Sequence, residues 1–574
     1  MTGPRYLALS GSDRAIRELL GRHVPQAANP HRLDRRLDLA GLVIFASPET
    51  PIIPLEGGKG LILGRLYRKA GGALSSMGIA DGRAAVDSDG ASLVRDFWGN
   101  YVAFLGAGEQ AIFVRDPSAA IPAYVRDLGD VRLYCSHFEL AQGICEKQSI
   151  DEEFLRQWLC FPFLRTSRTG LASWDEVMPG TSLSETGSKL LWAPSHQLAP
   201  AGPIPQLAEA ASSVRQAILS SVAQLIAGIS EPVVELSGGL DSAIVAASLH
   251  HAGIEFEAVN FATRMPDGDE RHYARILARH FGVRLSELTE DDRPLELRSP
   301  SPAPFRPPLS PVLQPLERAR RGFAAARQGF SFVTGAGGDN IFCYLGTAAP
   351  IIDSFAAQGL AGGFATALDV AELGECTVFK ALGYAVRKAM RRDRWRRWDC
   401  DRRFLSAEAV TRRSDTHPWL AIPPGASPGS IEHVKSLVRA QHFLQSEYEF
   451  GHPVLHPLLN QPLMDACLSI PSWLWVQDGR NRSVARAAFA DLIPDEIIER
   501  RTKGRLESMC ARAFSDNRHE LAELLLEGQL ARRGLLDRNG VERYLRSGGQ
   551  PRDDDYFRVF DLASLELWLG CWTG

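Results

Sequence analysis

The sequence predicts an α/β chain in two parts: a β-rich α+β N-terminal unit, then a C-terminal unit built on a doubly wound parallel sheet with added helices. Three observations carry this. Short apolar segments separated by Gly, Asp and Pro turns fill the first two hundred residues. A stretch rich in Pro and Gly, Ala199-Pro200-Ala201-Gly202-Pro203-Ile204-Pro205, suits a domain boundary. Beyond it, strand-like runs alternate with helical spacing, as in βαβ units. The expected limits are 1–198 for the first unit, 199–206 for the linker and 207–574 for the second, with a basic insertion over about 347–445.

In the first unit, residues 42–46, 101–105, 111–114 and 131–134 read as strands. From Gln206 the apolar positions Leu207, Val214, Ile218, Val222 and Leu225 recur at helical spacing. Residues 233–236 read as a strand that passes through a Gly-rich turn into a helix over 243–249. A strand at 256–261, a helix at 272–280 and a short strand near 283–288 follow. Another strand, 330–334, ends in a second Gly-rich turn. Eight prolines between Pro294 and Pro315 predict an extended surface loop. No internal repeat occurs.

A length of 574 residues points to two or three domains. With 45% hydrophobic and 23% charged residues, the chain is neither disordered nor fibrous. Its formal charge of −4 argues against a dedicated nucleic-acid binder. Nine cysteines lie singly, with no Cys-x-x-Cys pair, and read as reduced thiols. The start, Met1-Thr2-Gly3-Pro4-Arg5, lacks the features of a signal peptide, and no apolar run reaches the roughly 18–20 residues that cross a bilayer. The expected address is the cytoplasm, without membrane or nucleic-acid partners. One segment departs from neutrality. Residues 387–403 carry a net +6 and include Trp395 and Trp398, which leaves −10 on the rest. It is either a solvated helix face or a docking surface for an acidic peptide, a partner protein or a polyanion.

The sharpest motif is Ser237-Gly238-Gly239-Leu240-Asp241-Ser242, between a strand and a helix. Two glycines let the backbone approach an anion, and the helix start adds unpaired amides and positive potential. The serines can donate to phosphate oxygens, and Asp241 offers a hard carboxylate for Mg²⁺. No Gly-Lys-Ser/Thr follows, so this is not a P-loop.

The hexapeptide resembles the pyrophosphate loop of the ATP pyrophosphatase superfamily, and the wider pattern resembles its asparagine synthetase-like branch. Thr334-Gly335-Ala336-Gly337-Gly338-Asp339-Asn340 is similar to the second Gly-rich loop, Ser-Gly-x-Gly-x-Asp-Glu. Gly268-Asp269-Glu270-Arg271, Pro453-Val454-Leu455-His456 and the stretch from Arg482 to Lys503 resemble further family segments in order. The N-terminal unit weakly resembles the family's Ntn-hydrolase-like glutaminase domain through Trp98-Gly99-Asn100-Tyr101, Arg115-Asp116-Pro117 and Ser136. Thr2 stands where that domain has its cysteine nucleophile, so the resemblance implies a degenerate glutaminase.

The resemblance implies ATP and Mg²⁺ as cofactors. Leu236 and the loop 237–242, with Gly335 and Gly337, would hold the phosphates, while Asp241 and Asp339 would bind the metal. Backbone at Asn260 and Phe261 would meet the adenine. Arg482 stands where the family has a lysine that steadies pyrophosphate, and Lys503 would assist it. Glu449 is either the remaining base or amine-orienting group or a salt-bridged surface residue, and His452 and His456, which flank the same segment, are either structural or part of the site. Ala336 replaces the family's Glu or Tyr. These departures are similar to those of the lasso peptide cyclases, which activate an Asp or Glu side chain of a precursor peptide and join it to the peptide's own N-terminal amine. The implied partners are a precursor peptide, a leader-binding protein and a leader protease. An ammonia-dependent asparagine synthetase and a non-catalytic nucleotide- or peptide-binding scaffold are the alternatives.

Overall fold

The structure, a computed structural model, describes residues 4–27, 32–69, 71–106, 111–145, 148–198, 204–300, 302–327, 329–391, 396–411, 413–444, 453–547 and 554–572. The N-terminal unit holds two six-stranded antiparallel sheets. In spatial order the first runs Asp175–Glu176, Tyr124–Asp127, Val131–Cys135, Tyr6–Gly11, Leu42–Ala46 and Asp34–Leu39. The second runs Gly187–Leu190, Thr181–Ser184, Ile112–Arg115, Phe97–Leu105, Gly60–Arg68 and Ile52–Pro54. Alternate residues explain the stacking, because successive strand side chains point to opposite faces. Tyr6, Ala8, Leu42 and Ile44 of the first sheet share one buried cluster with Leu61, Leu63, Val102 and Phe104 of the second. Tyr6 meets Phe104 edge-on at 6.1 Å.

Among the described residues the C-terminal unit has one parallel sheet: β1 (Pro232–Glu235), β2 (Glu257–Ala262), β3 (Leu285–Thr289), β4 (Ser331–Val333) and β5 (Val454–Leu455). Its spatial order is β3-β2-β1-β4-β5. Strands β1 and β4 are wholly or largely buried, as expected where helices cover both faces. The helix α1 (Leu240–His251) follows β1, and ten of its residues, from Leu240 to Leu249, are buried. After β4 the chain makes α2 (Ala349–Leu373), broken at Gly359 where φ is +73°, then α3 (Val378–Met390) and α4 (Pro428–Leu444), before returning to β5. None of the described helices is long and apolar enough to cross a membrane.

The two units share one core. A single buried cluster includes Leu7 of the first sheet, Val234 of β1 and Trp568 of the last helix, Asp555–Gly570. Trp568 occupies the space above Gly170, where a Cβ would come within 2.3 Å of its ring. Burying one such large side chain contributes about 1.5–3 kcal/mol.

The proline-rich stretch departs from the expected surface loop. Phe305 stacks on Tyr124 at 3.9 Å, and Arg306 reaches Glu176, so this segment plugs into the N-terminal unit. An aromatic ring and a guanidinium with buried partners offset the cost of burying irregular backbone there. Residues 199–203 of the linker, Thr2, and Trp395 with 392–394 lie outside the described residues.

Candidate active site

Two Gly-rich loops leave the C-terminal ends of β1 and β4, neighbouring strands at which the strand order reverses. In an open parallel sheet the ligand crevice forms at that point. The first loop turns at Gly238, whose φ is +73° and whose Cβ would lie 2.5 Å from Tyr273 Cβ, so only glycine fits. Gly239 then caps α1. Ser237 Oγ and Ser242 Oγ lie 3.2 Å apart, and Ser242 Oγ donates to the Gly239 carbonyl at 3.2 Å. Leu236 and Leu240 are buried and anchor the loop from behind.

The second loop crosses the first at Gly338. A Cβ there would stand 2.3 Å from Asp241 Cγ, so the bare backbone lets that carboxylate sit against the second loop. Thr334 Oγ1 accepts from the Ala336 N–H at 3.2 Å and shares a hydrogen bond with His456 Nδ1 at 2.7 Å. Between the loops lies a cavity of about 350 Å³, lined by Ser237, Asp241, Ala336, Asp339, Arg482 and Lys503 among others, Gly335 and Gly337 included.

Charge converges here from three distant segments. Arg482 Nη1 donates to both Asp241 oxygens at 2.9 and 3.0 Å and to Asp339 Oδ1 at 2.7 Å. Lys503 Nζ donates to Asp339 Oδ2 at 2.6 Å. Arg482 sits in the left-handed region at φ +54°, a strain of about 1–3 kcal/mol for a non-glycine residue. Burial pushes Asp241 up to about 6; Arg482 draws it down and the Asp339 charge adds to the rise. Burial acts on Asp339 too, but Lys503 and Arg482 outweigh it and hold that carboxyl below its usual range.

Mg²⁺ takes oxygen ligands and commonly uses one or two carboxylates together with phosphate oxygens. Asp241 and Asp339 converge on one guanidinium nitrogen, so both reach a common point. Among the described residues no group of three or more His, Cys, Asp or Glu side chains forms an all-protein cage. The donor set therefore fits an ion held jointly with a nucleotide's phosphates.

Some expected residues stand apart. Asn260 and Phe261 do not line this cavity. Asn260 Nδ2 instead donates to the Leu236 carbonyl at 2.6 Å, tying β2 to the end of β1. Phe261 packs edge-on against Phe332 at 6.3 Å. Glu449 and His452 lie outside the described residues.

Other residues of the site had not been singled out from sequence. Arg500 donates to the Gly238 carbonyl at 3.0 Å, pairs with Glu270 at 2.6 Å and lies 3.7 Å over the Tyr273 ring. Glu270 also accepts the Gly504 N–H at 2.8 Å, so the segment bearing Lys503 is tied down beside the first loop. Arg320 wedges between Glu235, at 2.8 and 3.0 Å, and the Phe261 ring. Arg500 lies within the stretch from Arg482 to Lys503 that resembles the family and could have been found from it. Arg320 belongs to no motif; its contact with Glu235 spans 85 residues of chain.

A family model described as Asparagine synthase matches residues 213–570. Over 100 residues the chain is 36% identical to the carboxyethyl-arginine beta-lactam-synthase of Streptomyces clavuligerus, across 17% of this chain and 18% of that protein's length. Two solved structures overlap weakly. The allosteric regulatory enzyme of purine biosynthesis is 11% identical with a TM-score of 0.22, over 52% of this chain and 82% of that one. Glutamine phosphoribosylpyrophosphate amidotransferase from B. subtilis, complexed with ADP and GMP, is 10% identical with a TM-score of 0.17, over 58% and 76%. The family match contains both Gly-rich loops and all four charged residues that meet between them, and the chain belongs to the asparagine synthase family.

Proposed function

We propose that the chain is an ATP-dependent carbon–nitrogen ligase that closes a lasso peptide ring. It activates an Asp or Glu side chain of a precursor peptide and joins it to that peptide's N-terminal amine. The observation that carries this reading is the convergence of Asp241, Asp339, Arg482 and Lys503 on one cavity whose wall bears Ala336.

In the first half-reaction a carboxylate oxygen attacks the α-phosphorus of ATP, and the bond to the β-phosphate oxygen breaks. An acyl-adenylate and pyrophosphate result. The loop 237–242 and the amide end of α1 orient the phosphates. Asp241 and Asp339 would hold Mg²⁺, which when bound neutralises charge on the departing pyrophosphate. Arg482 and Lys503 supply further positive charge to the same group. In the second half-reaction the amine nitrogen attacks the acyl carbon, AMP leaves and one proton is lost. An α-amine has an unperturbed pKa of about 7.7–8.0, so a useful fraction arrives neutral near pH 7.5. A methyl at Ala336 supplies no base, and the chemistry tolerates its absence.

Further support comes from the N-terminal unit. The first cysteine of the chain, Cys135, is buried within a sheet, and burial pushes its thiol up, which disfavours a thiolate that could release ammonia from glutamine. The same reading includes cytoplasmic action beside a leader-binding protein and a leader protease. The test is ATP labelled in its phosphates, supplied with precursor peptides or with aspartate and ammonium. AMP and pyrophosphate formed only with an acidic-residue peptide support the cyclase. Asparagine formed from aspartate and ammonium would replace it with a synthetase.

A further inference from the structure

A second and larger cavity, of about 880 Å³, opens beside the nucleotide cavity. Tyr344 lines the larger one, and its ring lies 5.4 Å from the guanidinium of Arg482, which lines the smaller. Its walls come from the segment after the second Gly-rich loop and from α2, α3 and α4. Among the described residues, five cations and two carboxylates line it.

The carboxylates do not balance the cations. Glu432 is engaged by Lys388 and by the Thr347 hydroxyl. Asp399 faces Lys435, which also donates to the Arg397 carbonyl at 2.5 Å. Among the described residues, no carboxylate pairs with Lys380, Arg387 or Arg391, the other three cations of the lining. Helical spacing sets them, with Tyr384 between, along one face of α3 and the residue that follows it, while Ala381 and Ala385 are buried on the adjoining face. Phe379, Val386 and Met390 are exposed on the same helix, at 80%, 58% and 81%.

Resting on the ligase reading above, we propose that this cavity binds an acidic segment of the peptide substrate, distinct from the carboxylate that is activated. Lys380, Arg387 and Arg391 meet its negative charges, and Tyr344 marks the passage toward the adenylation cavity. The combination favours a peptide over a small acid. The space exceeds that of the nucleotide cavity, and the cations share the lining with Leu345, Val370, Leu373 and Val476, which suits a ligand of mixed side chains.

The experiment uses the full chain and a synthetic peptide with a free N-terminal glycine, one aspartate, a tail of glutamates and a C-terminal rhodamine. A second peptide carries glutamines in place of the tail glutamates. Fluorescence anisotropy should show binding about tenfold weaker for the glutamine tail, and a difference that shrinks as salt rises. The variant combining Lys380→Glu, Arg387→Glu and Arg391→Glu should lose the preference, with a melting transition matching the parent. A milder variant, Arg387→Gln with Arg391→Gln, should lose part of it. Equal binding of the two peptides, or an unchanged preference in both variants, overturns the assignment. Pyrophosphate exchange on the same peptides separates the two readings. Exchange without charge preference sinks the cavity assignment alone; charge-dependent binding without exchange upholds it and sinks the ligase.

Discussion

Two buried charge clusters, one at the boundary of the two units and one within the C-terminal unit, use the same side chains to opposite ends. At the unit boundary Glu176 is met by Arg115 at 2.7 Å, Arg165 at 2.7 Å and Arg306 at 3.0 Å. Between the Gly-rich loops, Asp241 and Asp339 share one nitrogen of Arg482. In the first cluster the guanidiniums also donate to carbonyls of Ile121, Val177, Thr166 and Gln441. Burial alone would raise Glu176, but the three guanidiniums outweigh it and hold it down to about 2. In the second, burial wins at Asp241. An excess of fixed donors makes a closed joint. Two carboxylates matched by Arg482 and Lys503, without such an excess of donors, suit a site that takes a further cation with its ligand.

Glu176→Gln should have the largest effect, because it leaves three buried guanidiniums without a counter-charge. Loss of about 3–5 kcal/mol is expected in urea unfolding. A smaller loss would mean the carbonyls alone hold the joint. Replacing Asp241 or Asp339 by Ala should act on the other property: pyrophosphate exchange falls at least about 100-fold while the unfolding midpoint moves little. Retained exchange would remove both residues from the metal assignment. Arg482→Lys keeps the charge but loses the planar guanidinium that can grip two phosphate oxygens at once, so exchange should fall about tenfold.

The mildest test is titration of stability. Glu176 has a depressed folded pKa, so its contribution is present above about 4.5 and is lost as pH falls toward 2. Burial lowers His417 and His433 to about 4 and His442 to about 3. Their unfolded forms bind protons first, so stability should already fall as pH drops from about 6.5 toward 4. Unfolding midpoints measured across this range should show both phases, and Glu176→Gln should lack the more acidic one.

Much of this was legible in the sequence. The strand-loop-helix at 232–251 announces itself because a buried parallel strand is an apolar run and the phosphate turn needs glycine at φ > 0. The second Gly-rich loop reads the same way. Both signals are local, so a short window of chain contains them. Arg306 shows the limit: eight prolines mark a loop, yet nothing in that spacing says the loop turns inward to Glu176 across 130 residues. Arg320 and Arg500 carry the same lesson at the site. By itself, the amino-acid sequence determined which elements form and in what order, since those depend on neighbours and periodicity. Tertiary structure alone decided that Arg482 bridges Asp241 and Asp339, and that basic α3 walls a cavity beside them. Side chains hundreds of residues apart meet only where the packing of the whole chain brings them.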